Sequence, residues 1–244
     1  EPGYAYQGNA FTWPTIPDVL QAAGISWRIY QDPNNNWTGA MHGGLAFENF
    51  RNAQPGSPLY ENGMRHWSLE HLAEDVKNNK LPQVSWVLPS QDDSEHPSGP
   101  SSPYRGADFT HKVLDAITSN PKVWSKTVFI LTFDENDGLF DHIPAPAVPS
   151  YNIDNTLAGK STLDLKGMYF INEGSENNKL ENYLDKRDTI SGQVRPWGMG
   201  PRVPLYIISP WSKGGWVDSQ VADHTSVAQF IEKRFGVHIP AISP

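Results

Sequence analysis

The 244-residue chain carries 27 acidic and 19 basic side chains, a formal net charge of −8, with 38% hydrophobic and 19% charged residues and no cysteine. This is the composition of a globular protein with one large or two small domains. It argues against a nucleic-acid binder, because no basic stripe is present to neutralise phosphates, and it excludes disulfides and thiolate metal sites. No apolar run approaches the roughly 20 residues of a membrane-crossing helix.

Any bound metal must be held by oxygen and imidazole ligands. Such a metal would let an acidic protein accept a phosphate-containing substrate, because it reverses the local field. The absence of cysteine fits the cytoplasm and the bacterial periplasm equally. Abundant Pro, Gly and Trp (21, 20 and 9) indicate a loop-rich protein with aromatic surfaces. The start at Glu1 without Met or a signal peptide, and the stop at Pro244, read as a piece of something longer.

In chain order, residues 15–24 (TIPDVLQAAG) predict a helix with Pro near its start and Gly24 as its C-cap. Residues 25–32 alternate as a half-buried strand. Residues 33–62, rich in Asn, Gly and Pro, predict an irregular excursion. A surface helix over 68–79 and a strand over 83–88 follow, then a polar loop, 89–106. Residues 108–120 predict an amphipathic helix with Asp108 at its N-cap. The strongest strand signal is KTVFILTF, 126–133.

Residues 143–200 read as a loop-rich insertion around a short hydrophobic GMYFI, within a single catalytic-domain fragment spanning 1–244. VPLYIIS (203–209) predicts a buried strand. Residues 223–236 predict a final helix with Thr225 or Ser226 as cap and Gly236 as C-cap. Strands alternating with helices predict an α/β layered fold with a largely parallel central sheet, whose ligands bind beyond the carboxyl ends of the strands.

Three loops carry carboxylates beside imidazoles. Asp92, Asp93, Glu95 and His96 follow the 83–88 strand; Asp134, Glu135, Asp137, Asp141 and His142 follow 126–133; Asp223 and His224 precede the last helix. In a parallel sheet all three would emerge on one edge. Carboxylates with neutral imidazoles are a ligand set for a divalent metal that clamps a phosphoryl oxygen. Taken alone, Asp223–His224 reads as a helix cap with a surface histidine, and Glu95–His96 as a solvated loop. Four acids within eight residues, as in 134–141, repel one another and need a compensating charge or water. The remaining histidines, His66, His71, His111 and His238, read as solvated or core residues. No nucleophile elbow, zinc-protease motif, P-loop or dinucleotide fingerprint is present.

The stretch FDENDGLFDHIPAP (133–146) resembles the hallmark of the bacterial phospholipase C and acid phosphatase family of phosphoesterases. The resemblance extends through AGISWRIYQD (23–32), LPQVSWVLPSQDDSEHPSGP (81–100), VLDAITSNPKVWSKTVFILTFDEND (113–137), GMGPRVPLYIISPWSKGGWVDS (198–219) and DHTSVAQFIEKRF (223–235), in the family's order. Within that family, DENDG and the following PAP are more similar to the phosphocholine-preferring phospholipase branch than to the acid phosphatases.

The resemblance implies an alkaline-phosphatase-like α/β fold, incomplete here at the N-terminus, and an exported bacterial hydrolase, secreted or periplasmic. It implies a divalent metal ion to which Asp223 and His224 contribute, and His96, Asp134, Glu135 and His142 as phosphate-facing catalytic groups. Glu95, Asp137 and Asp141 would assist in binding substrate. His96 or His142 would protonate the departing diacylglycerol oxygen. The implied partner is a phospholipid. The family's acidic-Asn metal motif and its Thr or Ser nucleophile lie upstream of the segment matching Glu1, so this piece is expected to lack turnover alone and to need that N-terminal segment.

Trp13, Trp37, Trp86, Tyr104 and Trp197 are candidates for a cation–π cage around a choline headgroup, with core packing as the plainer reading. Two further readings are a phosphomonoesterase on the same scaffold, and a carbohydrate-binding or carbohydrate-cleaving protein suggested by the tryptophans and paired acids.

Overall fold

Thr15 opens the first helix. Its hydroxyl and the Asp18 carboxylate cap each other's backbone N–H in a reciprocal box, and Pro17 fits the first turn, giving α1 at Ile16–Ala22. Gly24 follows with φ +69, the left-handed conformation that ends a helix. The computed structural model describes residues 10–32, 43–172 and 193–242, apart from residues 98, 140, 153, 155, 167, 197, 213 and 241.

After β1 (Trp27–Tyr30) come a short 3-10 turn at Gly44–Ala46, α2 (Glu48–Arg51), α3 (Pro58–Gly63) and α4 (Leu69–Lys77), then β2 (Val84–Val87). A second 3-10 turn at Gln91–Asp93 leads to α5 (Pro103–Thr118), α6 (Pro121–Trp124) and β3 (Phe129–Thr132). Next are β4 (Tyr169–Asn172), β5 (Gln193–Pro196), β6 (Leu205–Ile208) and α7 (His224–Phe235). The chain divides into two units, 1–132 with 205–244, and 133–204.

The centre of the first unit is β1, whose neighbour β2 runs parallel with Trp27 opposite Val84 and Tyr30 opposite Val87. Because strand side chains alternate, Trp27 and Ile29 join Leu20 of α1 and Ile231 of α7 in one apolar cluster. Tyr30 joins Leu72 and Val76 of α4 and Val113, Ala116 and Ile117 of α5 in another. Helices thus cover both faces of this pair. Between the helices and the strand, Arg28 pairs with Asp75, which also accepts from the Tyr30 hydroxyl at 2.7 Å. The Arg28 guanidinium lies 3.8 Å from the centre of the Trp67 ring. Burial, with Asp75 alongside, pushes the Tyr30 hydroxyl well above the usual tyrosine range.

Mixed α/β content matches the expectation, but the pairing differs from one largely parallel sheet. Among the described residues there are three two-stranded pairs, and only β1–β2 is parallel. β3 pairs antiparallel with β6, Thr132 opposite Leu205, and β4 pairs antiparallel with β5. Parallel neighbours need a crossover that returns the chain to its starting edge. Helices supply that between β1 and β2, whereas the connection from β3 to β6 is the whole second unit. The end of β3 therefore lies beside the start of β6, and β6 runs out at the opposite edge.

Two caps also differ. α5 begins five residues before Asp108, because the Ser102 hydroxyl accepts from the Arg105 N–H and Pro103 suits the first helical position. Asp108 instead pairs with Lys112 one turn on, at 2.6 Å. The cap of α7 is Asp223, not Thr225 or Ser226: its carboxylate accepts from the Thr225 N–H, and the Ser226 hydroxyl accepts from the Asp223 N–H. β6, expected to be buried, exposes Leu205, Tyr206 and Ile207, each about half accessible.

Candidate active-site loops

Within the first unit, the loop after β2 is folded onto the start of α5. At the start of the 3-10 turn the Ser90 hydroxyl donates to the Asp93 carboxylate at 2.8 Å, and Arg105 of α5 stands 3.6 Å from both Asp92 and Asp93. Ser94 donates to the Gln91 carbonyl at 3.0 Å and accepts from the His96 N–H at 3.3 Å. Glu95 has φ +66, donates its N–H to the Ser101 hydroxyl at 2.9 Å, and lays its side chain against the backbone of α5 at Gly106. Partial burial raises the pKa of its carboxyl. His96 is half-buried.

Asp223 and His224 occupy the N-cap and first position of α7, both exposed. Oδ1 of Asp223 accepts from the Thr225 hydroxyl at 2.6 Å and its N–H at 2.9 Å, while the Asp223 N–H donates to Ser226 at 3.1 Å. Those hydrogen bonds, the Thr225 hydroxyl foremost, lower the Asp223 pKa. A carboxylate beside an imidazole suits a divalent metal in donor chemistry. Among the described residues, however, no group of three or more His, Asp and Glu is arranged to hold one. Two side chains alone would not complete a coordination sphere.

The second unit holds the other loop. Asp134 and Glu135 are exposed, with the Glu135 N–H on Asp134 at 3.0 Å. Leu139 donates to the Asn136 carbonyl across Asp137 (φ +50) and Gly138 (φ +75), the pattern of a type I′ turn, for which Asp-Gly is a favoured pair. Arg202 grips Asp141 with two bonds, Nε to Oδ2 at 2.5 Å and Nη2 to Oδ1 at 2.9 Å. That grip, with the Ile143 N–H on Oδ1 at 3.2 Å, holds the Asp141 carboxyl far below the usual range. The His142 Nδ1 stands 3.1 Å from Asp141 Oδ1 and its ring points into solvent, 84% exposed.

Sequence reasoning missed Arg105 and Gly106, read as part of the loop 89–106 but placed on α5, and Arg202, 61 residues from Asp141. No spacing rule marks them. Of the aromatic candidates, Trp13 packs with Phe11 and Phe47, ring centres 4.4 and 5.9 Å away, beside a cavity of about 390 Å3 that Asp18 and Glu48 also line. Trp86 packs into the core around Leu20, Tyr104 is exposed, and Trp37 and Trp197 lie outside the described residues.

Acid-rich loops with imidazoles at strand ends are the residue chemistry of phosphoester enzymes. The model of the Phosphoesterase family matches residues 5–238, and the chain belongs to that family. A non-hemolytic phospholipase C of Pseudomonas aeruginosa is 52% identical over 97% of this chain and 32% of its own length. A non-hemolytic phospholipase C of Burkholderia pseudomallei is 40% identical over 96% of this chain and 34% of its own. Phospholipase C B of Mycobacterium tuberculosis is 34% identical over 96% and 41%. The chain thus spans between about a third and two fifths of the length of these relatives.

Proposed function

We propose that the protein is a phosphodiesterase of the phospholipase C type, cleaving phosphatidylcholine-like lipids into diacylglycerol and phosphocholine. The observation that carries this is the 52% identity to the Pseudomonas relative over 97% of the chain, a match long enough to include the acid-imidazole loops. Hydrolysis breaks the bond between phosphorus and the glycerol oxygen as a new phosphorus–oxygen bond forms, its oxygen ultimately from water, which gives up a proton while the departing oxygen takes one up. His96 or His142 supplies that proton. Asp134 and Glu135 face the phosphate side of the reaction, with Glu95, Asp137 and Asp141 as supporting groups.

A divalent cation is part of the proposal, with Asp223 and His224 among its ligands; when bound it would neutralise charge on the phosphoryl oxygens. The layered, alkaline-phosphatase-like architecture, with 1–244 as part of one catalytic domain, and export from a bacterial cell complete the reading. Among the described residues no helix is long and apolar enough to cross a membrane.

The test, run on the chain together with the N-terminal segment that the resemblance calls for, compares a p-nitrophenyl phosphocholine diester, phosphatidylcholine vesicles and p-nitrophenyl phosphate as substrates. The diester and the lipid are expected to be cleaved and the monoester spared. Loss of the proton donor should cost about 10²–10⁴-fold on the lipid but far less on the nitrophenyl ester, whose leaving group needs no proton. Run on His96→Ala and His142→Ala, that contrast chooses between them. Faster monoester than diester cleavage would overturn the phospholipase reading. Metal analysis of Asp223→Ala tests the ligand assignment, which unchanged metal content would sink.

A further inference from the structure

Gly106 stands in the second turn of a sixteen-residue helix, where alanine would be the better helix former. Its φ is not among the positive values, so no turn requires glycine there. The reason is space. A Cβ at Gly106 would overlap Oε1 and Cγ of Glu95 and stand 2.5 Å from its Cδ, inside the 3.0 Å that real Cβ atoms keep. Glu95 itself sits in the left-handed region, φ +66, a conformation that costs a non-glycine residue free energy and persists only when its surroundings enforce it.

No hydrogen bond or ion pair among the described residues holds the Glu95 carboxylate, so its place is set by shape. Its backbone N–H is anchored to Ser101, and the next residue is fixed on both sides: the His96 N–H donates to Ser94 at 3.3 Å and its carbonyl accepts from the Gly99 N–H at 3.0 Å.

We infer that Glu95 and Gly106 form a steric lock, a side chain seated in the notch of a helix that lacks a Cβ, and that this lock positions the His96 imidazole. Glu95 then acts through its neighbour as a positioning residue. The raised pKa of its carboxyl agrees with a side chain pressed against protein. The functional weight of the lock rests on the phosphodiesterase reading, in which His96 works on the phosphoester.

The experiment reads the His96 ring by NMR, its resonance assigned among the eight histidines with His96→Gln. Glu95→Ala and Gly106→Ala should both displace that resonance by more than its linewidth, and Glu95→Gln, which keeps the shape, should restore the native position. The double variant should match Glu95→Ala in resonance and melt at a higher temperature than Glu95→Ala, because alanine then serves only the helix. In the hydrolysis assay Glu95→Ala should lower kcat, by up to about 100-fold for a misplacement near 1 Å, with KM little changed.

A His96 resonance that stays in its native position in either Glu95→Ala or Gly106→Ala overturns the lock, as does a Glu95→Gln protein that resembles Glu95→Ala. Glu95→Ala and Glu95→Gln decide the question even if Gly106→Ala fails to fold. Displaced resonances with no diester cleavage by the native chain even when the N-terminal segment is supplied would count against the functional reading and leave the lock standing.

Discussion

The loops at 89–102 and 134–142 are made of nearly the same ingredients, yet their surroundings treat them in opposite ways. The first is knitted by serine hydroxyls and laid against α5; Arg105 stands near two of its acids, and Glu95 sits in the notch at Gly106. In the second, one acid is fixed by a bidentate arginine and one lies in a tight turn, while Asp134, Glu135 and His142 are presented to solvent. Burial raises the carboxyl of Glu95, whereas Arg202 depresses that of Asp141. Residue type alone therefore says little about the state of an acid in such loops; the neighbour decides it.

The sharpest way to break the contrast is to remove what holds the first loop's platform. Ile117 of α5 is 4% exposed in the core with Leu72 and Val76, and Ile117→Ala should destabilise by about 2–5 kcal/mol in urea unfolding. Ser102→Ala, which removes the helix cap beneath the loop, should cost about 1 kcal/mol. Asp108→Ala, at the position where the sequence suggests the cap, should leave the melt unchanged within error.

The two acids should then separate by the sign of their pH dependence. Asp141, with its pKa lowered in the fold, contributes stability that is present above the ordinary aspartate range and lost as pH falls through its depressed value. Arg202→Ala should therefore flatten the acid limb of a stability-versus-pH curve. Glu95, raised, contributes stability that is full below the ordinary glutamate range and fades as pH climbs through its folded value. Glu95→Gln should remove that smaller loss just above the ordinary range. Equal slopes in native protein and both variants would erase the distinction.

Much of the frame was legible. Apolar patterning located β1, β2 and β3, and cap and helix-pattern signals located α1, α4 and α7 to within a few residues. The acid-imidazole loops stood out because clustered carboxylates are costly. What failed to show was partnership across distance. Arg202 lies 61 residues from Asp141, and nothing local to either marks the pair. Asp223 reads equally as ligand or cap, and the structure has one of its oxygens capping α7.

By itself the sequence determined the α/β composition and the family and singled out the acid-imidazole loops as candidates, because periodicity, caps and motifs are written in neighbouring residues. Only the tertiary structure decided strand direction, burial and charge state. Tyr206 sits in the more apolar strand, Leu-Tyr-Ile-Ile against Trp-Arg-Ile-Tyr, yet it is 54% exposed where Tyr30 is 2%. Helices close over both faces of β1, whereas β6 is left open over most of its length. Burial and pKa are properties of what packs around a residue, and packing joins parts of the chain that no local pattern connects.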